Sequence, residues 1–216
     1  MPKIYFYKLT CDDNGAPCVH DGLLSLAICK PMIRKKAQPE DLIFGFAANS
    51  LCRDNRLLYV ARVTGKVGKG GYYVQEQFAG RDDCIYERRG SCFMRRTDAL
   101  QLRPKLHPSP DDLKHDLGQY PDYAKADVLL STDFRYFGAN GTAGYKSRFP
   151  RLKEAVEALG RGHRVVQHGQ PPWNDLIALK RQAWKDTHQM VLGPPTSTPH
   201  RGDCHPSRPC AVLGDH

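Results

Sequence analysis

Three carboxylates crowd together in Asp82-Asp83-Cys84-Ile85-Tyr86-Glu87, and in an extended chain Asp83 and Glu87 share one face. Clustered acids of this kind serve metal-assisted phosphodiester cleavage, which makes Asp83 a candidate catalytic residue. No second acidic motif with nuclease-like spacing stands elsewhere, so ion pairing with the neighbouring arginines is the competing reading. His168, in His168-Gly169-Gln170, follows a short apolar run and is a candidate acid–base group because imidazole titrates near neutrality. Asp133 is the third catalytic candidate.

A nucleotide pocket is the alternative use of the same residue types. In Ser131-Thr132-Asp133-Phe134-Arg135-Tyr136-Phe137-Gly138, aromatic faces could stack bases, at about 1–3 kcal/mol each, while a carboxylate reads polar base edges. Ser131, Asp133, Phe134 and Tyr136 form that candidate set, with Phe137 read as core. Lys30 and Arg34 lie just beyond Leu26-Ala27-Ile28-Cys29, where cations leaving a sheet could grip phosphate. Between residues 88 and 105, Arg88, Arg89, Arg95, Arg96, Arg103 and Lys105 face Asp98 alone. Arg88, Arg89, Arg95 and Arg96 are therefore candidate contacts to a phosphate backbone.

The charge balance points the same way. Lys plus Arg is 32 against 23 Asp plus Glu, a net +9 over 216 residues. Arg201 and Arg208 are matched by Asp203 and Asp215 after Gly193, so the excess sits in the rest of the chain. Such a charge favours polyanions: nucleic acid, DNA first, or nucleotides. No window approaches the about 18 apolar residues of a membrane span, and the start of the chain lacks a signal-peptide pattern, so a cytoplasmic location is expected.

Eight cysteines suggest disulfides until their contexts are read. Cys29 and Cys84 sit in apolar, strand-like runs where Cys packs as a small hydrophobe, and reduced thiols are the cytoplasmic default. Cys11, Cys18 and His20, or Cys204, His205 and Cys210, lack paired Cys-x-x-Cys spacing, so no metal and no cofactor are expected. The phosphate-loop, nucleophile-elbow, His-Glu-x-x-His and dinucleotide motifs are absent.

These residues need elements to position them. Strands are expected at Ile4–Tyr7, Leu23–Cys29, Leu42–Phe46, Leu57–Thr64, Tyr72–Val74, Asp82–Tyr86, Ala126–Ser131 and Arg164–Gln167, with a hairpin turn through Gly68–Gly71. Asp111 is placed to cap a short helix. Leu152, Ala155, Val156 and Leu159 make a helical stripe, and Trp173 to Gln189 reads as a second helix. Beyond Leu192 the chain is rich in Pro, so residues 1–192 form one domain and 193–216 a flexible tail. Strands early and helices late predict an α+β fold with a curved, mostly antiparallel sheet or a small barrel.

Several of these segments also resemble a known family. Gly22-Leu23-Leu24-Ser25-Leu26-Ala27-Ile28-Cys29-Lys30-Pro31-Met32-Ile33-Arg34 is similar to the signature of the nucleotide modification associated domain 2 family. Asp41 to Phe46, Leu58 to Val63, Asp83 to Tyr86, Val128 to Ser131 and Phe134 to Gly138 fit it too. The resemblance implies a bacterial or phage protein linked to base modification. A fainter likeness, to the PUA-like ASCH, EVE and YTH domains, implies a small barrel whose pocket receives a modified base. The leading expectation is thus a module that binds nucleic acid or nucleotides and recognises a base at strand ends. An enzyme of base modification or phosphodiester cleavage, and a protein-interaction subunit, are the alternatives.

Overall fold

Ile4 to Leu9 alternates Tyr5, Tyr7 and Leu9 with Ile4, Phe6 and Lys8, so this strand offers apolar side chains to both sides of a sheet. A computed structural model describes residues 1–197 and shows both faces covered. In chain order the strands are β1 (Ile4–Leu9), β2 (Cys18–His20), β3 (Leu23–Leu26), β4 (Leu42–Ala47), β5 (Leu57–Arg62) and β6 (Gly65–Val67). They continue as β7 (Tyr86–Arg89), β8 (Cys92–Arg95), β9 (Val128–Ser131), β10 (Asp133–Tyr136) and β11 (His163–Val166). The helices are α1 (Pro31–Lys36), α2 (Thr97–Leu102), α3 (Pro110–Leu117), α4 (Tyr145–Arg148), α5 (Pro150–Glu157) and α6 (Trp173–Asp186).

The main sheet has the order β10-β5-β4-β1-β11, antiparallel except for the β1–β4 pair. A second sheet, β2-β3-β9-β6, packs Leu24, Leu26 and Leu129 against Tyr5, Tyr7, Tyr59 and Phe134 on one face of the first. Leu152, Val156, Leu176 and Leu179 of α5 and α6 cover Ile4, Phe6, Phe44 and Val60 on the other. The expected α+β class is correct. The barrel alternative is not what forms: β10 and β11 stand at opposite ends of the strand order and do not pair with each other. With a layer on each face, the sheet has no need to close on itself.

Three local expectations are corrected. Tyr72 and Tyr73 lie in a single 3₁₀ turn, Gly71–Tyr73, and β6 pairs with β9 instead of forming a hairpin with that segment. The chain near Asp83 becomes a strand only at Tyr86. Ser109, rather than Asp111, caps α3: its hydroxyl accepts the Asp112 N–H, while the Asp112 carboxylate accepts the Ser109 N–H.

The hydrogen-bonded chain runs past Leu192. Ala139 N–H donates to the Pro194 carbonyl, and Thr196 donates to Asp12 from both its backbone and its hydroxyl. The rest of the expected tail, with Cys204, His205 and Cys210, lies outside the described residues. No helix among the described residues is long and apolar enough to cross a membrane.

Candidate functional site

The chain leaves β3 through Ala27 and Ile28, turns sharply, and enters α1 at Pro31, whose fixed φ and missing N–H suit a first helical position. The turn is made by Cys29 at φ 56 and Lys30 at φ 41, two successive side-chain-bearing residues in left-handed conformation. Such backbone persists only where surrounding contacts hold it, and it concentrates at functional sites. Here the contacts are specific. Asp116 Oδ1 accepts the Cys29 N–H at 2.8 Å, and Arg34 Nε donates to the Cys29 carbonyl at 2.7 Å.

Cys29 Sγ lies 3.2 Å from His107 Nε2, and His107 Nδ1 lies 2.6 Å from Asp116 Oδ2. Sulfur and carboxylate thus engage opposite nitrogens of one imidazole, an arrangement of nucleophile, base and orienting acid. Because the ring stands between them, the sulfur and Oδ2 do not converge on a common point where an ion could bind. His107 itself has φ 49. Burial draws its imidazolium down, but hydrogen bonds to Asp116 and Cys29, with the charge of both groups, push it up to about 10. Asp116 is fully buried and also accepts the Tyr86 hydroxyl at 2.8 Å.

Two arginines hold this centre from behind. Arg34, with no exposed surface, donates to the carbonyls of Cys29, Lys125, Asp127 and Asp116, tying the nucleophile's turn to the end of α3. Arg95 donates to the carbonyls of Ala99, Arg103, Leu106 and His107, and so fixes the irregular loop that carries the base. That loop contains Pro104 and Pro108, and carbonyls outside a regular ladder need such donors.

In front of the centre lies a row of side chains across the main sheet. His163, Tyr7, Gly45, Tyr59 and Tyr136 are successive register partners on β11, β1, β4, β5 and β10. Gly45 is required, because a Cβ there would stand 2.2 Å from the Tyr59 ring. The Tyr7 and Tyr59 hydroxyls meet at 2.8 Å, and the Lys30 ammonium sits 4.7 Å above the Tyr7 ring. Burial lowers Lys30 below the usual lysine range.

The expected site residues divide accordingly. Lys30 faces the tyrosine row, but Arg34 uses its Nε, Nη1 and Nη2 on main-chain carbonyls and leaves no face for phosphate. Asp133 and Tyr136 are three residues apart in one strand and so point to opposite sides of it. Asp133 accepts Arg62 Nε at 2.7 Å and Trp184 Nε1 at 2.8 Å beside α6. Burial would raise it, but Arg62 and Trp184 hold its carboxyl below the usual range. Tyr136 is buried, with its hydroxyl on Asp12 at 2.6 Å, so its ring offers no stacking face. Phe134 is core, and Ser131 bonds to the Asp133 backbone.

Asp83 is fully buried, accepting from Ser25 and Tyr72 at 2.6 Å each, with Arg81 3.7 Å away. It anchors β3 and has no route to a substrate. His168 is exposed in the turn after β11, against Trp173. Arg88 and Arg89 are exposed on the β7–β8 hairpin, where Arg89 pairs with Glu87, whereas Arg96 pairs with Asp98 and Arg95 is the loop anchor described above.

Cys29, His107 and Asp116 were not among the expected site residues. One signal for the first was present: a cysteine between an apolar strand and Lys-Pro stands at a strand-to-helix corner. His107 and Asp116 carried none, being one of nine histidines and one acid in a polar helix.

A family model described as nucleotide modification associated domain 2 matches residues 1–170. No curated protein and no solved structure matches the chain.

Proposed function

The chain belongs to the nucleotide modification associated domain 2 family, and from that premise we propose that it is an enzyme of nucleotide modification whose nucleophile is the Cys29 thiol. The observation that carries this reading is the continuous contact from Cys29 Sγ through His107 to Asp116, at 3.2 and 2.6 Å. The thiolate is the reactive form of cysteine, and His107, held charged well past neutrality, is placed as its ion-pair partner and proton donor. Asp116 holds the ring so that Nε2 faces sulfur. Lys30 supplies positive charge at the mouth of the site for an anionic substrate. Arg88 and Arg89 extend the basic surface that draws in a nucleotide or nucleic acid, DNA first.

Alkylation of the whole protein with iodoacetamide, followed by peptide mapping, tests the nucleophile. Cys29 reacts faster than the exposed Cys92, the advantage disappears in His107→Ala, and a mixture of nucleoside triphosphates or a short single-stranded oligonucleotide protects Cys29. Reaction no faster than at Cys92 removes the proposed nucleophile, and unaltered reaction in the presence of every nucleotide probe removes the proposed substrate.

A further inference from the structure

A cysteine beside an imidazole can attack phosphorus, add to an electron-poor pyrimidine ring, or attack a carbonyl, and the surroundings of Cys29 discriminate among these. Attack on a phosphate ester needs a cradle of donors around the three non-bridging oxygens. Arg34, the guanidinium nearest in sequence, is wholly buried and bound to four carbonyls. Pro31, two residues past the nucleophile, contributes no N–H.

Addition to a pyrimidine needs a side chain to hold and protonate the ring edge opposite the sulfur. The acids around this centre are occupied. Asp116 accepts from Cys29, His107 and Tyr86, and Asp12 accepts from Tyr136 and twice from Thr196.

Attack on a carbonyl needs what is present. His107 can carry a proton from sulfur to a leaving group, because Asp116 occupies its other nitrogen. Charge developing on the carbonyl oxygen needs a fixed positive group in a site with little water. Lys30 follows the nucleophile directly, is partly buried, and holds its ammonium 4.7 Å above the Tyr7 ring.

Building on the Cys29 nucleophile proposed above, we infer that the reaction is acyl transfer: the substrate is an amide or ester whose acyl group passes through a thioester on Cys29, with Lys30 facing the oxyanion. In the first half the S–C bond forms, the donor's C–N or C–O bond breaks, and the thiol proton leaves on the amine or alcohol by way of His107. In the second, water or an amine such as the exocyclic group of a base gives a proton to His107 and attacks the thioester carbonyl. The S–C bond then breaks and the proton returns to sulfur. Neither half needs an oxidant or reductant.

The test is p-nitrophenyl acetate with the full chain, following nitrophenolate release and intact mass, with p-nitrophenyl phosphate in parallel. The expected result is a burst of nitrophenolate with one acetyl group on Cys29, at least tenfold faster than glutathione reacts, and no release from the phosphate. Lys30→Met should slow acetylation by about 100-fold, as loss of an oxyanion donor does, and should slow iodoacetamide much less, since alkylation forms no oxyanion. Acetylation at the glutathione rate, or turnover of the phosphate, overturns acyl transfer. If iodoacetamide still prefers Cys29 over Cys92, the nucleophile stands and only its substrate class is lost; if it does not, both fall together. Equal slowing of both reagents in Lys30→Met removes Lys30 from the oxyanion.

Discussion

Asp116 accepts the backbone N–H of Cys29 at 2.8 Å with one carboxylate oxygen, and the other meets His107 at 2.6 Å. One buried side chain therefore sets the turn that presents the sulfur and the plane of the ring that pairs with it. The left-handed backbone of Cys29 and Lys30, which would be unfavourable in isolation, is stabilised by the same group that prepares the chemistry. Asp116 is also tied to Arg34 through its own carbonyl, so nucleophile, base and scaffold share one hydrogen-bonded network.

Asp116→Asn keeps the shape but gives His107 an amide that donates as well as accepts. The rate of Cys29 acetylation should fall by about 10²–10⁴-fold, the range associated with loss of positioned acid–base catalysis. Stopped-flow nitrophenolate release measures it, and circular dichroism checks that the fold is kept.

Arg34→Met removes a buried cation and strands carbonyls that have no water to replace it. Losses of about 3–5 kcal/mol accompany breaking such a buried partnership, and at this chain length each kcal/mol lowers Tm by about 2–4 °C. Calorimetry should show a drop of about 6–20 °C. An unchanged Tm with weakened nucleotide binding would restore Arg34 to phosphate recognition.

His107 carries a pH signature. Its pKa rises from 6.5 to about 10 in the folded chain, so its contribution to stability is fully present below pH 6.5 and is lost as pH rises through about 10. Wild-type Tm should therefore fall across that window more steeply than the Tm of His107→Gln. Parallel curves would mean that the ring is neutral in the folded protein.

Arg88 and Arg89 stand exposed on a hairpin, and Arg95 is built into the loop beneath His107. Arg88→Ala with Arg89→Ala should leave Tm unchanged and reduce the salt slope of duplex binding by about 1.8, or about 0.9 per lost phosphate contact. Arg95→Ala should instead slow Cys29 alkylation by releasing the loop. Filter binding over a salt series and peptide mapping separate the two effects.

Ending the chain after Leu192 instead of Ser197 takes Thr196 from Asp12, which is 1% exposed and whose carboxyl burial already pushes up. Losing both Thr196 bonds should cost about 1–3 kcal/mol, read as a Tm lower by about 2–12 °C.

Local pattern was enough for much of the frame. The apolar runs at Ile4–Tyr7, Leu42–Phe46 and Leu57–Thr64, and the stripe through Leu152 and Val156, became β1, β4, β5 and α5 with ends shifted by a residue or two, because burying apolar side chains is a property of each segment by itself. Alternation along a strand separates Asp133 from Tyr136, a consequence of strand geometry already contained in Ser131–Gly138. Family membership was equally legible, in the residues around Cys29-Lys30-Pro31.

The candidate site was not. Cys29 and His107 are 78 positions apart, and Cys29 and Asp116 are 87 apart. What joins them is a capped helix, a proline-bearing loop held by Arg95, and a buried Arg34 that crosses between chain segments. Arg34 reads as a surface cation until the carbonyls of Lys125, Asp127 and Asp116 are brought around it. A guanidinium's choice between phosphate and main chain depends on which acceptors surround it in space, and only the tertiary structure supplies those.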